Sequence, residues 1–237
     1  MSHHLKLITS GLAAMVFMFP TAESKETPAS TGGAAKSASS SDTEIVNLSP
    51  YFKGFSGTFV LLDTKTGKTI KYNPVAAAKM MPAQSTFKIF TALAGLDSGV
   101  LKGKDYLQKW DGVTRELAPW NKDQTLHTAM RDSVVWYFQD FARRIGAERM
   151  DKYLKENQYG NMDMSGGLTT FWLDSTLKIS PDQQVELLRK LDKRELHFSE
   201  KAMNTTAELI ELKKTPLGVL SGKTGTKGDA KHNVFGW

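Results

Sequence analysis

The chain has 237 residues, 40% hydrophobic, 24% charged and 10% aromatic, which excludes wholesale disorder and allows a deep core with a shaped cleft. The net charge of +6 comes from scattered Lys and Arg rather than a basic stripe, so no nucleic-acid partner is indicated. Cysteine is absent, which excludes disulfides, thiolate zinc sites and a Cys nucleophile, and suits work outside the cytoplasm.

From the N-terminus, Lys6 precedes an apolar run from Leu7 to Phe19, then Pro20 and the small residues Thr21 and Ala22. A charged start, a short apolar middle and small residues describe a secretory signal over 1–22. The run is shorter than the roughly 20 residues of a spanning helix, with a membrane tether or a buried helix as the alternatives. Residues 23–44 carry no aromatic or large aliphatic side chain and read as a disordered linker. The folded domain is expected from Ile45 to the end.

Within it, 57–63 reads as a strand, Thr66-Gly67 as a turn and 69–72 as the returning strand. Apolar spacing over 85–99 predicts a helix stopped by Gly99, and 127–145, 147–157, 181–192 and 199–213 also read as helices. Segments 218–222 and 233–237 read as strands. Strands at both ends with helices between them predict a mixed α/β (α+β) fold with an antiparallel sheet.

Four short motifs can carry chemistry, although alone a Ser-x-x-Lys is equally a surface serine near a solvated lysine and a Lys-Thr-Gly equally a turn. In Ser85-Thr86-Phe87-Lys88 the first and last residues share a helix face, so the amine can reach the hydroxyl. A serine becomes a nucleophile when a base takes its proton, and a lysine serves as that base only if burial lowers its pKa. Phe87, Ile89 and Phe90 supply apolar surroundings. A second match, Ser175 to Lys178, reads as accidental. Lys223-Thr224-Gly225 offers a cation for a substrate carboxylate and a glycine that lets a ligand approach the backbone, whereas Lys65-Thr66-Gly67 reads as a hairpin turn. Between them lie Ser133-Val134-Val135, a second hydroxyl beside apolar residues, and Tyr159-Gly160-Asn161, which by itself is equally a helix stop. Trp172 offers an indole N–H, with a core aromatic as the plain alternative. The five histidines are scattered, so no metal site is expected.

The order Ser-x-x-Lys, Ser-x-Val, Tyr-Gly-Asn, Lys-Thr-Gly resembles the class D serine β-lactamases, or oxacillinases. The resemblance runs from about Tyr51 to Trp237 and includes QSTFK at 84–88, WDG at 110–112, WNKD at 120–123 and FWL followed by ISP. It implies the serine β-lactamase and penicillin-binding transpeptidase fold, and a hydrolase that opens the β-lactam ring through an acyl-serine intermediate, conferring resistance. By resemblance Ser85 is the nucleophile and Lys88 the base, carried as a carbamate made from CO2 or bicarbonate. Val135 lines its apolar pocket, the Trp172 indole bonds the carbamate, and Ser133 relays the proton to the leaving nitrogen. Lys223, Thr224, Gly225 and Thr226 hold the substrate, the N–H groups of Ser85 and Thr226 form the oxyanion hole, and Tyr159 lies near the site. No other cofactor is implied; the partner is a small β-lactam, and the membrane enters only through an N-terminal anchor. The expected location is exported, periplasmic or extracellular.

Two departures accompany the resemblance. The family continues through a further strand, a helix and a carboxylate-gripping arginine, so the sequence reads as a C-terminally truncated copy. The stretch SVVWYFQD also resembles penicillin-sensing receptors that are acylated without turnover. By resemblance those sensors carry a polar residue where this chain has Val135, which favours the hydrolase. A cell-wall transpeptidase usually has Ser-x-Asn as the middle motif and fits less well.

Overall fold

The computed structural model describes residues 12–20, 42–53, 55–216, 218–226 and 234–236, the first and last of these segments as backbone alone. In chain order the elements are β1 (Leu12–Pro20), β2 (Thr43–Ile45), α1 (Ser49–Phe52), β3 (Phe55–Asp63), β4 (Thr69–Tyr72), α2 (Pro74–Ala78) and β5 (Met81–Pro82). A 3-10 turn, Gln84–Phe87, runs into α3 (Lys88–Asp97), followed by β6 (Leu107–Gln108), β7 (Gln124–Thr125), α4 (Leu126–Arg131), α5 (Val135–Ile145) and α6 (Ala147–Glu156). Then come β8 (Lys178–Ile179), α7 (Pro181–Lys193), α8 (Glu200–Leu209), β9 (Glu211–Thr215), β10 (Gly218–Ser221), β11 (Gly225–Thr226) and β12 (Val234–Gly236).

The main sheet has the order β11-β12-β1-β3-β4-β2, antiparallel throughout except for the β2–β4 pair. The β3–β4 hairpin forms as its sequence predicts: Asp63 Oδ1 accepts from the Lys65 backbone N–H at 2.9 Å, and Gly67 takes the left-handed φ of 76° that the turn requires. Along β3, Thr58 and Val60 face inward and are fully buried. α7 packs across β1 and β3. Its start is fixed by Pro181 and by a capping box in which Ser180 Oγ accepts from the Gln183 N–H at 3.2 Å and the Gln183 side chain accepts from the Ser180 N–H at 3.0 Å.

The other half is helical. α3 is buried on every side from Lys88 to Gly95, as a helix enclosed by its neighbours must be, and it packs against α5 and α8. The core gathers Phe87, Phe90, Phe138, Phe141, Phe171, Trp172 and Tyr159 around it. The 3-10 turn meets β11, so Ser85 lies where the helical half touches the sheet.

Leu12–Pro20, within the apolar run read as a leader, is an extended strand paired with β3 and β12. The linker expected over 23–44 lies outside the described residues except at its end, where Thr43 and Glu44 already belong to β2. The helix expected over 127–145 is two helices, broken at Asp132–Val134 because Ser133 is left-handed with φ 55°. The helix expected over 199–213 stops at Leu209, and Glu211–Thr215 pairs with β10 instead. Among the described residues no helix is long and apolar enough to cross a membrane.

Candidate active site

β5 delivers the chain to Ser85. Met81 and Pro82 pair with Ile179 and Lys178 of β8, and the 3-10 turn begins two residues later. Ser85 and Lys88 lie three positions apart across that turn, and Lys88 Nζ donates to Ser85 Oγ at 2.6 Å. Lys88 is 1% exposed. Its ammonium has lost its hydration, and a second cation, Lys223, repels it; both effects push its pKa well below the ordinary lysine value. A buried neutral amine keeps a lone pair, which is what proton abstraction from Ser85 or reaction with an electrophile requires.

The pocket around that amine is aromatic. The Phe87 ring stacks with Phe90 at 5.5 Å and with Trp172 at 5.5 Å, and meets Tyr159 edge-on at 5.3 Å and Phe171 at 5.1 Å. Lys88 Nζ lies 5.6 Å from the centre of the Phe138 ring. Val135 opens α5 and is half-buried, whereas its neighbour Val134 is completely buried. Phe138 is the α5 side chain that faces the amine. Its i, i+4 spacing from Val134, also fully buried, is the signal in the sequence that could have found it.

Trp172 is fully buried and its indole Nε1 has no hydrogen-bond partner. An unpaired buried donor costs about 1–3 kcal/mol, so such a group marks a place where an acceptor belongs. The Trp172 carbonyl accepts from the Gln84 N–H at 2.7 Å, which ties this residue to the nucleophile's turn.

Ser133 is held at the break between α4 and α5 with φ 55°, a conformation that costs a non-glycine residue free energy and is typical of functional corners. Lys223 is 7% exposed, donates to the Thr224 carbonyl at 2.8 Å, and burial pulls its pKa down to about 8. Gly225 lies against the nucleophile's turn: a Cβ there would stand 2.9 Å from the Thr86 methyl and 3.3 Å from the Thr86 nitrogen. Thr224 and Thr226 are exposed on either side of it.

Tyr159, expected among the substrate-binding residues, lies in the core. It is 1% exposed, its ring packs edge-on against Phe87 and Phe90, and its hydroxyl donates to Gln184 Oε1 at 3.4 Å. Burial keeps the phenol neutral by raising its pKa. Tyr159 packs behind Phe87 and Phe90. A cavity of about 300 Å³ beside α7, lined by Asp182, Glu186 and Lys190, touches Tyr159 but none of the other motif residues. Among the described residues no cluster of His, Asp and Glu could hold a metal ion.

The penicillin-binding protein transpeptidase domain family matches residues 57–235. The chain belongs to that family. Within it, the probable β-lactamase YbxI of Bacillus subtilis is 42% identical over 182 residues, covering 77% of this chain and 68% of that protein. The structure of the class D β-lactamase BAT-2 superposes with a TM-score of 0.75 at 38% identity, covering 81% of this chain and 86% of that one. The C-terminal domain of the Bacillus licheniformis BlaR penicillin-receptor superposes with a TM-score of 0.76 at 35% identity, covering 82% and 85%. The chain spans 33% of the whole regulatory protein BlaR1 of that organism. Both class D β-lactamases and a penicillin receptor are therefore relatives, on the penicillin-binding fold that the motif order implied.

Proposed function

We propose that the chain hydrolyses β-lactams through an acyl-serine intermediate on Ser85. The observation that carries this reading is the buried amine of Lys88, 2.6 Å from Ser85 Oγ and inside an aromatic pocket whose Trp172 indole N–H lacks an acceptor. An amine held neutral by burial is the form that adds CO2. The unpaired indole donor fits the oxygen that such an addition would bring. Carried as a carbamate, Lys88 supplies an anionic general base.

The rest follows from the chain's own groups. The Ser85 oxygen attacks the lactam carbonyl carbon as its proton leaves toward Lys88, the ring C–N bond breaks, and Ser133 passes a proton to the departing nitrogen. Lys223, still protonated below about pH 8, pairs with the substrate carboxylate, and Thr224 to Thr226 flank it. The N–H groups of Ser85 and Thr226 stabilise the developing oxyanion. Water, deprotonated at the Lys88 position, then cleaves the ester and frees Ser85. The absence of cysteine suits action outside the cytoplasm.

The likeness to the BlaR domain favours one rival, a receptor that is acylated and stays so. By resemblance, an apolar Val135 rather than a polar residue at that position favours turnover. An intact-mass time course with excess penicillin and bicarbonate separates the two. An adduct on Ser85 that forms and clears, leaving opened penicillin, is the expected outcome, with no adduct on Ser85→Ala. An adduct persisting for hours makes the chain a sensor.

A further inference from the structure

Gln84, the residue before the nucleophile, combines three unusual features. Its φ is 52°, a left-handed value that disfavours residues with a Cβ. It is 5% exposed, yet its side-chain Nε2 has no partner. Its backbone N–H donates to the Trp172 carbonyl at 2.7 Å. A left-handed conformer and an unpaired buried donor each cost free energy, and both fall on one position beside Ser85. Packing alone would place a glycine or an apolar residue there.

The left-handed conformation reverses the chain as β5 ends and brings the Gln84 N–H onto Trp172. The turn that follows carries Ser85 and Lys88, and the residue that receives the hydrogen bond carries the indole donor without an acceptor. One backbone contact therefore fixes the spacing between the Lys88 amine and the Trp172 indole. Gly225 closes the other side, where a Cβ would stand 3.4 Å from Gln84 Cβ.

Resting on the reading of Lys88 as the base, we infer that Gln84 is a positioning residue: its left-handed backbone and its hydrogen bond to the Trp172 carbonyl hold the indole N–H in register with the Lys88 head group. The side chain is secondary, so the conformational tolerance of the residue at position 84 controls the register. Glycine accepts φ near 50° without strain, and a β-branched valine resists it.

The test is a double-mutant cycle on the full chain, with Gln84→Gly, Gln84→Val and Trp172→Phe, singly and combined. The readouts are the carbamate resonance of Lys88 in 13C bicarbonate, titrated for its midpoint, the rate of Ser85 acylation by penicillin, and the melting temperature. Gln84→Gly is expected to keep the bicarbonate midpoint within about twofold, while Gln84→Val raises it at least about tenfold, the scale of a small misplacement at a reacting centre. In the Trp172→Phe background Gln84→Val is expected to add nothing further. An equal effect of Gln84→Val in both backgrounds overturns the inference, as does a Gln84→Gly variant as impaired as Gln84→Val. Should Gln84→Val fold poorly, Gln84→Gly alone decides, because loss of its bicarbonate response at an unchanged melting temperature contradicts a role through backbone conformation. If the parent chain shows no carbamate resonance, the Lys88 reading fails, and the cycle in acylation rates still decides the Gln84–Trp172 coupling.

Discussion

Two buried lysines, Lys88 and Lys223, act on each other at this site, and their surroundings shift them to different degrees. Lys88 is enclosed by Phe87, Phe138 and the α3 packing, and the cation at Lys223 adds repulsion, so its proton is released first. Lys223 is less deeply desolvated, keeps its proton to about pH 8 and remains available to pair with an anion. The sign of the resulting pH dependence follows. Above about pH 8 Lys223 loses its charge and its hold on a substrate carboxylate, so in bicarbonate-free buffer, where Lys88 carries no anion, KM for penicillin is expected to rise with an apparent pKa near 8. Steady-state kinetics from pH 6.5 to 9.5 read this directly. Lys223→Arg, whose guanidinium stays charged across that range, should flatten the rise. A KM that stays level to pH 9.5 in the parent would remove Lys223 from carboxylate recognition.

At the scale of elements, the Tyr159-Gly160-Asn161 motif finds a use other than substrate contact. Asn161 N–H donates to the Lys178 carbonyl at 2.9 Å, Lys178 N–H donates back to Asn161 Oδ1 at 2.8 Å, and Asn161 Nδ2 reaches the Thr176 carbonyl at 2.8 Å. Gly160, at φ 54°, lets the two backbones approach: a Cβ there would stand 2.0 Å from the Lys178 carbonyl oxygen. The motif staples β8, β8 pairs with β5, and β5 leads into Ser85. Gly160→Ala is therefore expected to destabilise the fold by at least about 2 kcal/mol in urea unfolding, since it combines backbone overlap with a left-handed φ. It should also slow Ser85 acylation although it touches no substrate. The four motifs were weak one by one and became legible through their order, which resembles that of the class D β-lactamases, whereas the β3–β4 hairpin was legible because turn residues are local signals. The break at Ser133 and the left-handed Gln84 were not, because a non-glycine residue at positive φ leaves no mark on hydrophobic periodicity. The strand at Glu211–Thr215 escaped for a different reason: helical spacing continues past Leu209, and only pairing with β10 settles the conformation.

On the scale of the molecule, the central question is what holds the two ends of the sheet together. β1 is paired with β3 along its full length, from Leu12 opposite Asp63 to Pro20 opposite Phe55, and with β12 from Val16 opposite Gly236 to Met18 opposite Val234. β11, which carries the Gly225 contact to the nucleophile's turn, reaches the rest of the sheet through β12 and β1. A strand in that position satisfies one edge of β3, and an unpaired strand edge is both solvated and prone to wrong pairing. In this arrangement hydrogen exchange in the full chain should show protected amides along both edges of β3, the β4-facing set and the β1-facing set. Deleting residues 1–20 should leave the β4-facing amides slow while the alternate amides that face β1 exchange at least about tenfold faster, because their partners are gone and α7 loses part of the surface it packs on. The same deletion frees β12 and β11 from β3, so acylation of Ser85 should fall while the aromatic core around Phe87, built by the helical half, keeps its near-ultraviolet circular dichroism. Equal protection of both β3 edges with and without residues 1–20 would show that this strand does not hold the sheet together in solution, and that β11 is positioned by its contact with the nucleophile's turn alone.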